Sequence, residues 1–212
     1  MPPSYDRKDV YHQRAKREGY RSRAAYKLLE IQEAHGILER GARVADLGCW
    51  PGGWLQVAAE GVGSEGRVVG VDLAPVDPPL GIANVFAFTG DLGEPSVLAA
   101  LLERGGGPFD LVLSDAAPKL TGIRATDRAR EEALLDAVCA AVPQLLAAGG
   151  TLLVKLLECP EAHAFELAIR RQFAATKVVK PKASRKGTTE RYLLARGFRP
   201  PRPRGPRPAS RP

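Results

Sequence analysis

Short apolar segments alternate along the chain with longer segments in which apolar residues recur every three or four positions. The first pattern is typical of buried strands and the second of amphipathic helices. We predict strands at 42–47, 67–72, 84–88, 109–115, 151–157, 176–180 and 190–195. Helices are predicted at 22–38, 52–62, 94–104, 127–150 and 160–173. In the fourth helix Pro143 is a potential bend, and Gly149 and Gly150 are its expected end.

The alternation of strands and helices predicts a parallel sheet with helices on both faces. Only the loop 181–189 separates the last two strands, which is too short for a crossover helix. Those two strands are therefore expected to pair antiparallel. The predicted fold class is α/β, with a Rossmann-like, seven-stranded, mostly parallel sheet whose last strand is antiparallel.

The chain of 212 residues is 44% hydrophobic and 26% charged, which suits one domain with a full core. We assign residues 1–20 to a basic, polar N-terminal arm and residues 21–197 to the folded domain. The segment 198–212 is rich in Arg and Pro, and we predict that this tail is disordered.

The net charge of +7 is distributed unevenly. Residues 1–27 carry eight Lys or Arg and three acidic residues, and residues 177–191 carry six and one. By contrast, residues 28–176 carry eleven basic and twenty acidic residues. An acidic body with basic ends leaves two interpretations open, a surface that binds a polyanion or an ordinary solvated surface with a solubilising tail.

Several classes of protein are disfavoured by composition. No apolar stretch approaches the ~18 residues of a transmembrane helix, and the N-terminus lacks the apolar core of a signal peptide. The three cysteines Cys49, Cys139 and Cys159 are widely spaced, as expected for reduced thiols. The three histidines lack the spacing of metal ligands. We therefore expect a cytoplasmic monomer that binds neither a membrane nor a metal.

A glycine-rich loop at 46–54, DLGCWPGGW, follows the first predicted strand. Gly48, Gly52 and Gly53 would let the backbone approach a ligand without interference from a Cβ atom. In doubly wound sheets, ligands bind beyond the carboxyl ends of the strands. The loop matches neither GxGxxG nor a P-loop, which disfavours a dinucleotide or a P-loop nucleotide.

Acidic residues lie at or just after the ends of the next three strands, at Asp72, Asp91 and Asp115. Asp72 could accept both ribose hydroxyls of a nucleoside, and Asp91 lies within plausible reach of an adenine amino group. Carboxylates would repel a triphosphate but would attract a cationic sulfonium. S-adenosyl-L-methionine therefore fits this edge better than ATP or NAD. Each acid taken alone could equally be a turn or cap residue.

Seven segments together resemble the FtsJ/RlmE-type 2′-O-ribose methyltransferases, in order from about Tyr20 to Gly197. They are RSRAAYKLLEI, DLGCWPGGW, VDLAP, GDL, SDAAPKLTG, LVKLL and SRKGTTERYLLARG. The glycine loop alone is weak evidence, but the combination is specific. The resemblance implies a Rossmann-like, S-adenosylmethionine-dependent methyltransferase fold. It also implies a substrate, a uridine ribose of 23S rRNA within the large ribosomal subunit.

The resemblance also implies roles for individual residues. Lys27, Asp115, Lys155 and Glu190 match the catalytic set of the family. Gly52, Trp54, Asp72, Asp91 and Asp115 match its cofactor contacts. Lys155 falls on the general base, Asp115 would orient it, and Glu190 would hold Lys27 or the ribose. A lysine in water keeps its proton until about pH 10, so a lysine base needs partial burial and a second cation nearby.

Basic residues flank the motifs that contain Lys27 and Glu190, and we predict that they contact RNA phosphates. These residues are Arg21, Arg23, Lys180, Lys182, Arg185 and Lys186. Two alternatives remain open. The enzyme could methylate tRNA or capped mRNA, or the chain could be a non-catalytic RNA-binding factor in ribosome assembly.

The chain departs from the family pattern near the expected substrate cleft. Residues 156–159, LLEC, replace a segment that usually contains an aromatic residue and a glycine. Lys119 stands where relatives often have asparagine, and Trp50 adds bulk inside the glycine loop. These differences leave the chemistry unchanged but bear on the choice of RNA.

Overall fold

The computed structural model describes residues 10–118, 121–185 and 187–201. A seven-stranded sheet runs through the molecule in the order β3-β2-β1-β4-β5-β7-β6. The strands are β1 (Arg43–Leu47), β2 (Arg67–Asp72), β3 (Val85–Thr89), β4 (Phe109–Ser114), β5 (Leu146–Leu156), β6 (Phe173–Val179) and β7 (Arg191–Phe198). The helices are α1 (Val10–Glu18), α2 (Ala25–His35), α3 (Gly53–Val62), α4 (Pro95–Gly105), α5 (Arg124–Leu145) and α6 (Pro160–Arg170).

The pairing of the strands confirms the predicted α/β fold. Strands β1 to β5 pair parallel to one another, whereas β7 pairs antiparallel with both β5 and β6. Because β7 runs antiparallel to β5, with Arg191 opposite Leu156, its first residues lie at the edge where the parallel strands end. The carboxyl ends of β1, β2, β4 and β5 and the start of β7 therefore share one edge of the sheet.

Each face of the sheet is covered by its own apolar cluster. Leu153, Tyr192 and Leu194 belong to the cluster that includes residues of α2 and α3. Leu152 and Val154 belong to the opposite cluster, which includes residues of α4, α5 and α6. Successive residues of a strand point to opposite faces, so β5 contributes to both layers. Burial on both faces explains why this strand is an almost continuous apolar run.

The boundary between α5 and β5 differs from the prediction. We expected a helix to residue 150, but α5 ends at Leu145 and β5 begins at Leu146. Leu146 is buried and pairs with Phe109, and the register shifts before Thr151 pairs with Leu111. Gly149 lies in this irregular stretch with a φ of 81°. The two glycines therefore form part of the strand and do not cap a helix.

A helix also forms within the segment that we assigned to the N-terminal arm. Ala15 of α1 is buried, in a small cluster with Tyr26 and Ala183. The Tyr26 hydroxyl donates a hydrogen bond of 2.8 Å to Glu18. Residues 10–18 are thus helical and packed against the domain. Residues 1–9 of the arm and residues 202–212 of the tail lie outside the described residues, so the predictions for them stay untested.

Among the described residues, no helix combines the length and the apolar character that a membrane span requires.

Candidate active site

The glycine loop packs tightly against its neighbours at the carboxyl edge of the sheet. A Cβ atom added at Gly48 would lie 2.4 Å from the Ala116 Cβ, and the φ of Gly48 is 85°. Gly52, with a φ of 108°, precedes the first turn of α3. At Gly53 an added Cβ would lie 2.4 Å from the Ser22 Oγ. Only glycine satisfies both demands at Gly48, so the loop forms a close-fitting backbone cradle.

The carboxylate of Asp72 holds the cradle in place. Its Oδ2 accepts a hydrogen bond of 2.9 Å from the Trp50 amide, and its Oδ1 accepts one of 2.9 Å from the Ala74 amide. An ionised carboxylate offers about four lone-pair sites, so capacity remains for ligand hydroxyls. Asp91 is exposed, and its Oδ1 accepts a hydrogen bond of 2.8 Å from the Gly93 amide. Asp72 is the last residue of β2 and Asp91 follows β3, as the sequence predicted.

Asp46 lies at the same edge of the sheet, and the sequence analysis did not assign it to the site. It lies near the end of β1, is only 1% exposed, and neither carboxylate oxygen has a hydrogen-bond partner within the described ranges. Burial raises the pKa of Asp46 well above its usual range, and the charges of Asp115 and Asp72 raise it further. The sequence feature that could have identified Asp46 is an acidic residue inside an otherwise apolar strand.

Asp115 joins the two lysines of the predicted catalytic set. The Lys155 Nζ lies 3.2 Å from the Asp115 Oδ1 and donates a hydrogen bond of 2.5 Å to the Asp115 main-chain oxygen. On the other side, the Lys27 Nζ lies 3.6 Å from the Asp115 Oδ2 and 2.9 Å from the Glu190 Oε1. The structure therefore brings together all four residues that the sequence predicted to meet.

Burial distinguishes this cluster from ordinary surface ion pairs. Lys27 and Lys155 are each 8% exposed. The side chains of Asp115 and Glu190 are each 14% exposed. Charges removed from water to this extent are costly unless they are paired, and here each amine faces at least one carboxylate. Such an arrangement fixes the position of the amines, as a reaction centre requires.

Two further residues complete the cluster, and the sequence analysis did not assign them to the site. The Tyr192 hydroxyl donates a hydrogen bond of 2.7 Å to the Asp115 Oδ1, and the Ser184 Oγ donates one of 2.8 Å to the Glu190 Oε1. Burial raises the pKa of Tyr192 well above its usual value, and the charges of Asp115 and Glu190 add to the rise. Tyr192 is therefore a neutral hydrogen-bond donor.

Trp54, a predicted cofactor contact, uses its side chain differently. Its indole is 3% exposed, donates a hydrogen bond of 2.8 Å from Nε1 to the Ala24 main-chain oxygen, and packs 5.8 Å from the Tyr192 ring. The side chain thus links α3 to the chain just before α2. A contact between Trp54 and the cofactor would have to use its main chain.

The predicted RNA-binding residues fall into two groups. Arg21 donates to the Pro79 main-chain oxygen at 3.2 Å and also bonds to that of Pro78, while Arg23 bonds to the main-chain oxygen of Ala183. These arginines hold loops of the protein together. Lys180, Lys182 and Arg185 are exposed in the loop 180–190, called the Glu190 loop, although the Lys180 Nζ also donates a hydrogen bond of 3.2 Å to the Thr188 main-chain oxygen. Lys186 lies outside the described residues. The RNA contacts of the whole set stay a prediction.

The donor set fits S-adenosylmethionine. Gly48 and Gly52 form a backbone cradle, and the carboxylates of Asp72, Asp91 and Asp115 lie at successive strand ends beside it. The buried carboxyl group of Asp46, which has no hydrogen-bond partner among the described residues, lies at the same edge of the sheet. Together these residues suit a cationic nucleoside far better than a polyphosphate. Within the described residues, no group of three or more His, Cys, Asp or Glu side chains is arranged to hold a metal.

A Rossmann-like sheet with a sulfonium-compatible cradle beside a buried lysine defines a methyltransferase. Comparison with known proteins agrees, because the model of the FtsJ-like methyltransferase family matches residues 20–198. The chain is 44% identical over 191 residues to ribosomal RNA large subunit methyltransferase E of Acidithiobacillus ferrooxidans, covering 90% of this chain and 86% of the relative. The corresponding enzyme of Pseudomonas aeruginosa is 42% identical, with 90% and 91% covered.

The fold resembles that of several solved structures. A ribosomal RNA methyltransferase from Plasmodium falciparum superposes with a TM-score of 0.71 at 29% identity, covering 84% of this chain and 98% of its own. Fibrillarin from Aeropyrum pernix, solved with S-adenosyl-L-methionine, gives a TM-score of 0.60 at 18% identity, covering 81% and 73%. The second similarity concerns the fold alone.

The chain belongs to the FtsJ-like methyltransferase family. This membership confirms the predicted family, the methyltransferase activity and the use of S-adenosylmethionine as cofactor. The roles of individual site residues rest on the geometry described above and remain predictions.

Proposed function

We propose that this protein transfers a methyl group from S-adenosylmethionine to the 2′-hydroxyl of a uridine ribose in 23S rRNA of the large ribosomal subunit. The observation that carries the proposal is the seating of Lys155, whose buried amine contacts both a side-chain and a main-chain oxygen of Asp115. The similarity to curated large-subunit rRNA methyltransferases over about 90% of the chain supports the substrate.

The seating of Lys155 suits a general base. A neutral amine has two N–H groups and one lone pair, and Asp115 offers two oxygen acceptors, at 2.5 and 3.2 Å from Nζ. The hydrogen bond to the main-chain oxygen anchors one N–H group, and in a neutral amine the lone pair remains available to the ribose hydroxyl. Lys155 would then accept the 2′-hydroxyl proton. When bound, the cofactor would supply the methyl group on a positively charged sulfur.

Lys27 and Glu190 form the second half of the centre. The Lys27 Nζ lies 2.9 Å from both carboxylate oxygens of Glu190, and Ser184 fixes one of those oxygens. We assign this pair to orienting the ribose, since its ammonium N–H groups and carboxylate oxygens complement a sugar hydroxyl. Positioning of this kind contributes to the rate by aligning the reacting oxygen with the methyl group.

The decisive experiment measures transfer of a tritiated methyl group to large ribosomal subunits from cells that lack this protein. With the wild-type protein we expect incorporation, and nucleoside mapping should locate it on a uridine 2′-oxygen. Lys155→Ala should bind S-adenosylhomocysteine normally yet lose about 10²–10⁴ in rate. Lys177→Ala, which alters an exposed lysine of β6, is the matched control.

Other outcomes would reassign the function. Incorporation into tRNA or capped RNA but not into ribosomal subunits would change the substrate. Failure of the wild-type protein to bind S-adenosylhomocysteine would favour a non-catalytic role in ribosome assembly. Near-normal turnover of Lys155→Ala would reject the lysine as base.

Docking of RNA is proposed on the exposed basic residues of the Glu190 loop, namely Lys180, Lys182 and Arg185. They lie at the same edge of the sheet as the catalytic cluster, and phosphate contacts of this kind weaken steeply with salt. Arg185→Glu should weaken binding to ribosomal subunits and reduce the salt dependence. Arg171→Glu reverses an exposed charge that precedes β6, at the opposite edge, and should leave binding unchanged.

A further inference from the structure

Trp50 is an exposed aromatic side chain at the edge of the cofactor cradle. Its surface is 59% exposed, whereas Trp54, the other tryptophan of the chain, is 3% exposed. Leu73, the residue after Asp72, is 74% exposed. Isolated apolar residues on a surface are common, but these two flank the same carboxylate. The Trp50 main-chain amide donates a hydrogen bond to the Asp72 carboxylate, and Leu73 is the next residue in the chain after Asp72.

The backbone around Trp50 is held firmly. Its amide donates to the Asp72 Oδ2 at 2.9 Å, and the amides of Gly48 and Cys49 both donate to the Val71 main-chain oxygen, at 2.8 and 3.2 Å. On the other side, the Gly52 amide donates to the Cys49 oxygen at 2.7 Å. Because the backbone of this loop is already fixed, little conformational entropy is lost when a flat ligand stacks on the indole of Trp50. This preorganisation favours a binding role.

We propose that Trp50 is a stacking platform for a nucleobase at the mouth of the active site. This inference rests on the proposed function and deepens it, because it adds a base contact to the same site. The favoured ligand is the adenine of the cofactor. The Trp50 amide is hydrogen-bonded to the carboxylate of Asp72, the residue assigned to the ribose of the same nucleoside. A base of the RNA beside the target ribose would present the same π face. Stacking on an aromatic residue tolerates any base.

The test uses the full-length protein and three variants, with S-adenosylhomocysteine as the first probe. Trp50→Ala should weaken binding about tenfold in calorimetry, whereas Trp50→Phe, which keeps a ring, should retain most of the affinity. Leu167→Ala removes another exposed apolar side chain, on α6, and should leave affinity unchanged. Free adenosine should show the same pattern, which would locate the contact on the nucleoside.

A second arm distinguishes the cofactor from the RNA. Binding of ribosomal subunits is measured with S-adenosylhomocysteine present at saturation. If Trp50→Ala weakens only RNA binding, and Trp50→Phe restores it, the platform holds an RNA base. If Trp50→Ala changes neither affinity by more than twofold, the proposal is wrong.

Fluorescence provides a readout that does not depend on the alanine variant being folded. In the wild-type protein, acrylamide should quench mainly Trp50, because Trp54 is buried. A bound base should protect Trp50 from acrylamide, and Trp50→Phe should lack the accessible emission. No protection by either ligand would overturn the proposal. If S-adenosylhomocysteine protects Trp50 from quenching but the protein transfers no methyl group to ribosomal subunits, the proposed substrate is wrong and the stacking role of Trp50 still holds.

Discussion

The Tyr192 hydroxyl and the Lys155 Nζ meet at a single oxygen of Asp115, at 2.7 and 3.2 Å. Tyr192 and Lys155 are also direct partners in the antiparallel pairing of β7 with β5. Cross-strand partners lie close together on the same face of a sheet. The antiparallel last strand therefore provides the hydroxyl that holds the carboxylate, and in this way the topology of the sheet assembles the proposed catalytic centre.

Loss of the Tyr192 hydroxyl should impair catalysis more than folding. Tyr192→Phe keeps the buried ring but removes a donor to a charged acceptor, a hydrogen bond of about 1.5–3 kcal/mol. We expect kcat for methyl transfer to fall by about tenfold or more, with little change in the affinity for S-adenosylhomocysteine. The measurement is single-turnover transfer of tritiated methyl.

The control for this variant is Tyr20→Phe, which removes a hydroxyl bonded to Glu60 at 2.9 Å, outside the catalytic cluster. It should leave kcat within about twofold of wild type. Equal rates for Tyr192→Phe and wild type would show that the bond to Asp115 has no part in the reaction.

Ser184 should act through Glu190. Its Oγ donates to the Glu190 Oε1 at 2.8 Å, so Ser184→Ala frees one side of the carboxylate that holds Lys27. A neutral donor to a charged acceptor is a moderate interaction, and we expect kcat to fall about three- to tenfold. Cofactor affinity should not change, and Ser184→Thr should recover part of the rate. Ser96→Ala, an exposed hydroxyl in α4, is the control, and an equal loss in both variants would contradict the assignment.

Gly48 should be intolerant of any side chain. Gly48→Ala combines a φ of 85° with a Cβ only 2.4 Å from the Ala116 Cβ. Gly41 has a similar φ of 77° but no described atom within 4 Å of an added Cβ, so Gly41→Ala isolates the backbone cost. That cost is about 1–2 kcal/mol, and Gly48→Ala should exceed it in urea unfolding and also weaken S-adenosylhomocysteine binding. Equal destabilisation by the two variants would mean that the loop moves to accommodate the added Cβ atom at little cost in free energy.

The sequence predicted the sheet because its strands depend on local patterns, whereas the catalytic set was predicted from the family resemblance. Apolar runs mark the buried strands, and acids after parallel strands meet at one edge whatever the detailed packing. The end of α5 was missed since LLAAGGTLLV is apolar throughout and periodicity alone does not separate a buried helix from a buried strand. Only the pairing of Leu146 with Phe109 decides the boundary.

Residues that act through tertiary contacts were harder to foresee. The role of Tyr192 depends on its register against Lys155, and that of Ser184 on how the loop before β7 folds back. Arg21 was predicted to bind phosphate, yet its guanidinium bonds to main-chain oxygens of the loop after β2. A basic residue near a site has the same sequence signature whether it faces a ligand or a carbonyl group.

Asp46 should make the stability of the free protein depend on pH. Burial, together with the charges of Asp115 and Asp72, raises the pKa of Asp46 well above its usual range. In the unfolded chain an aspartate titrates at about pH 3.9. Well below that pH Asp46 is protonated in both states and does not change the stability. As pH rises from there to the raised pKa, the unfolded chain ionises while the folded state keeps its proton, so the free energy of unfolding falls.

Asp46→Asn removes this titration and adds only an offset that does not vary with pH. We therefore expect the free energy of unfolding of the variant, minus that of wild type, to increase from about pH 4 upward. One group limits the slope to about 1.4 kcal/mol per pH unit. Urea unfolding of both proteins between pH 4 and pH 8, without cofactor, measures the difference, in which the other titrating groups largely cancel. A difference that stays constant over this range would show that Asp46 ionises as freely in the folded protein as in the unfolded chain.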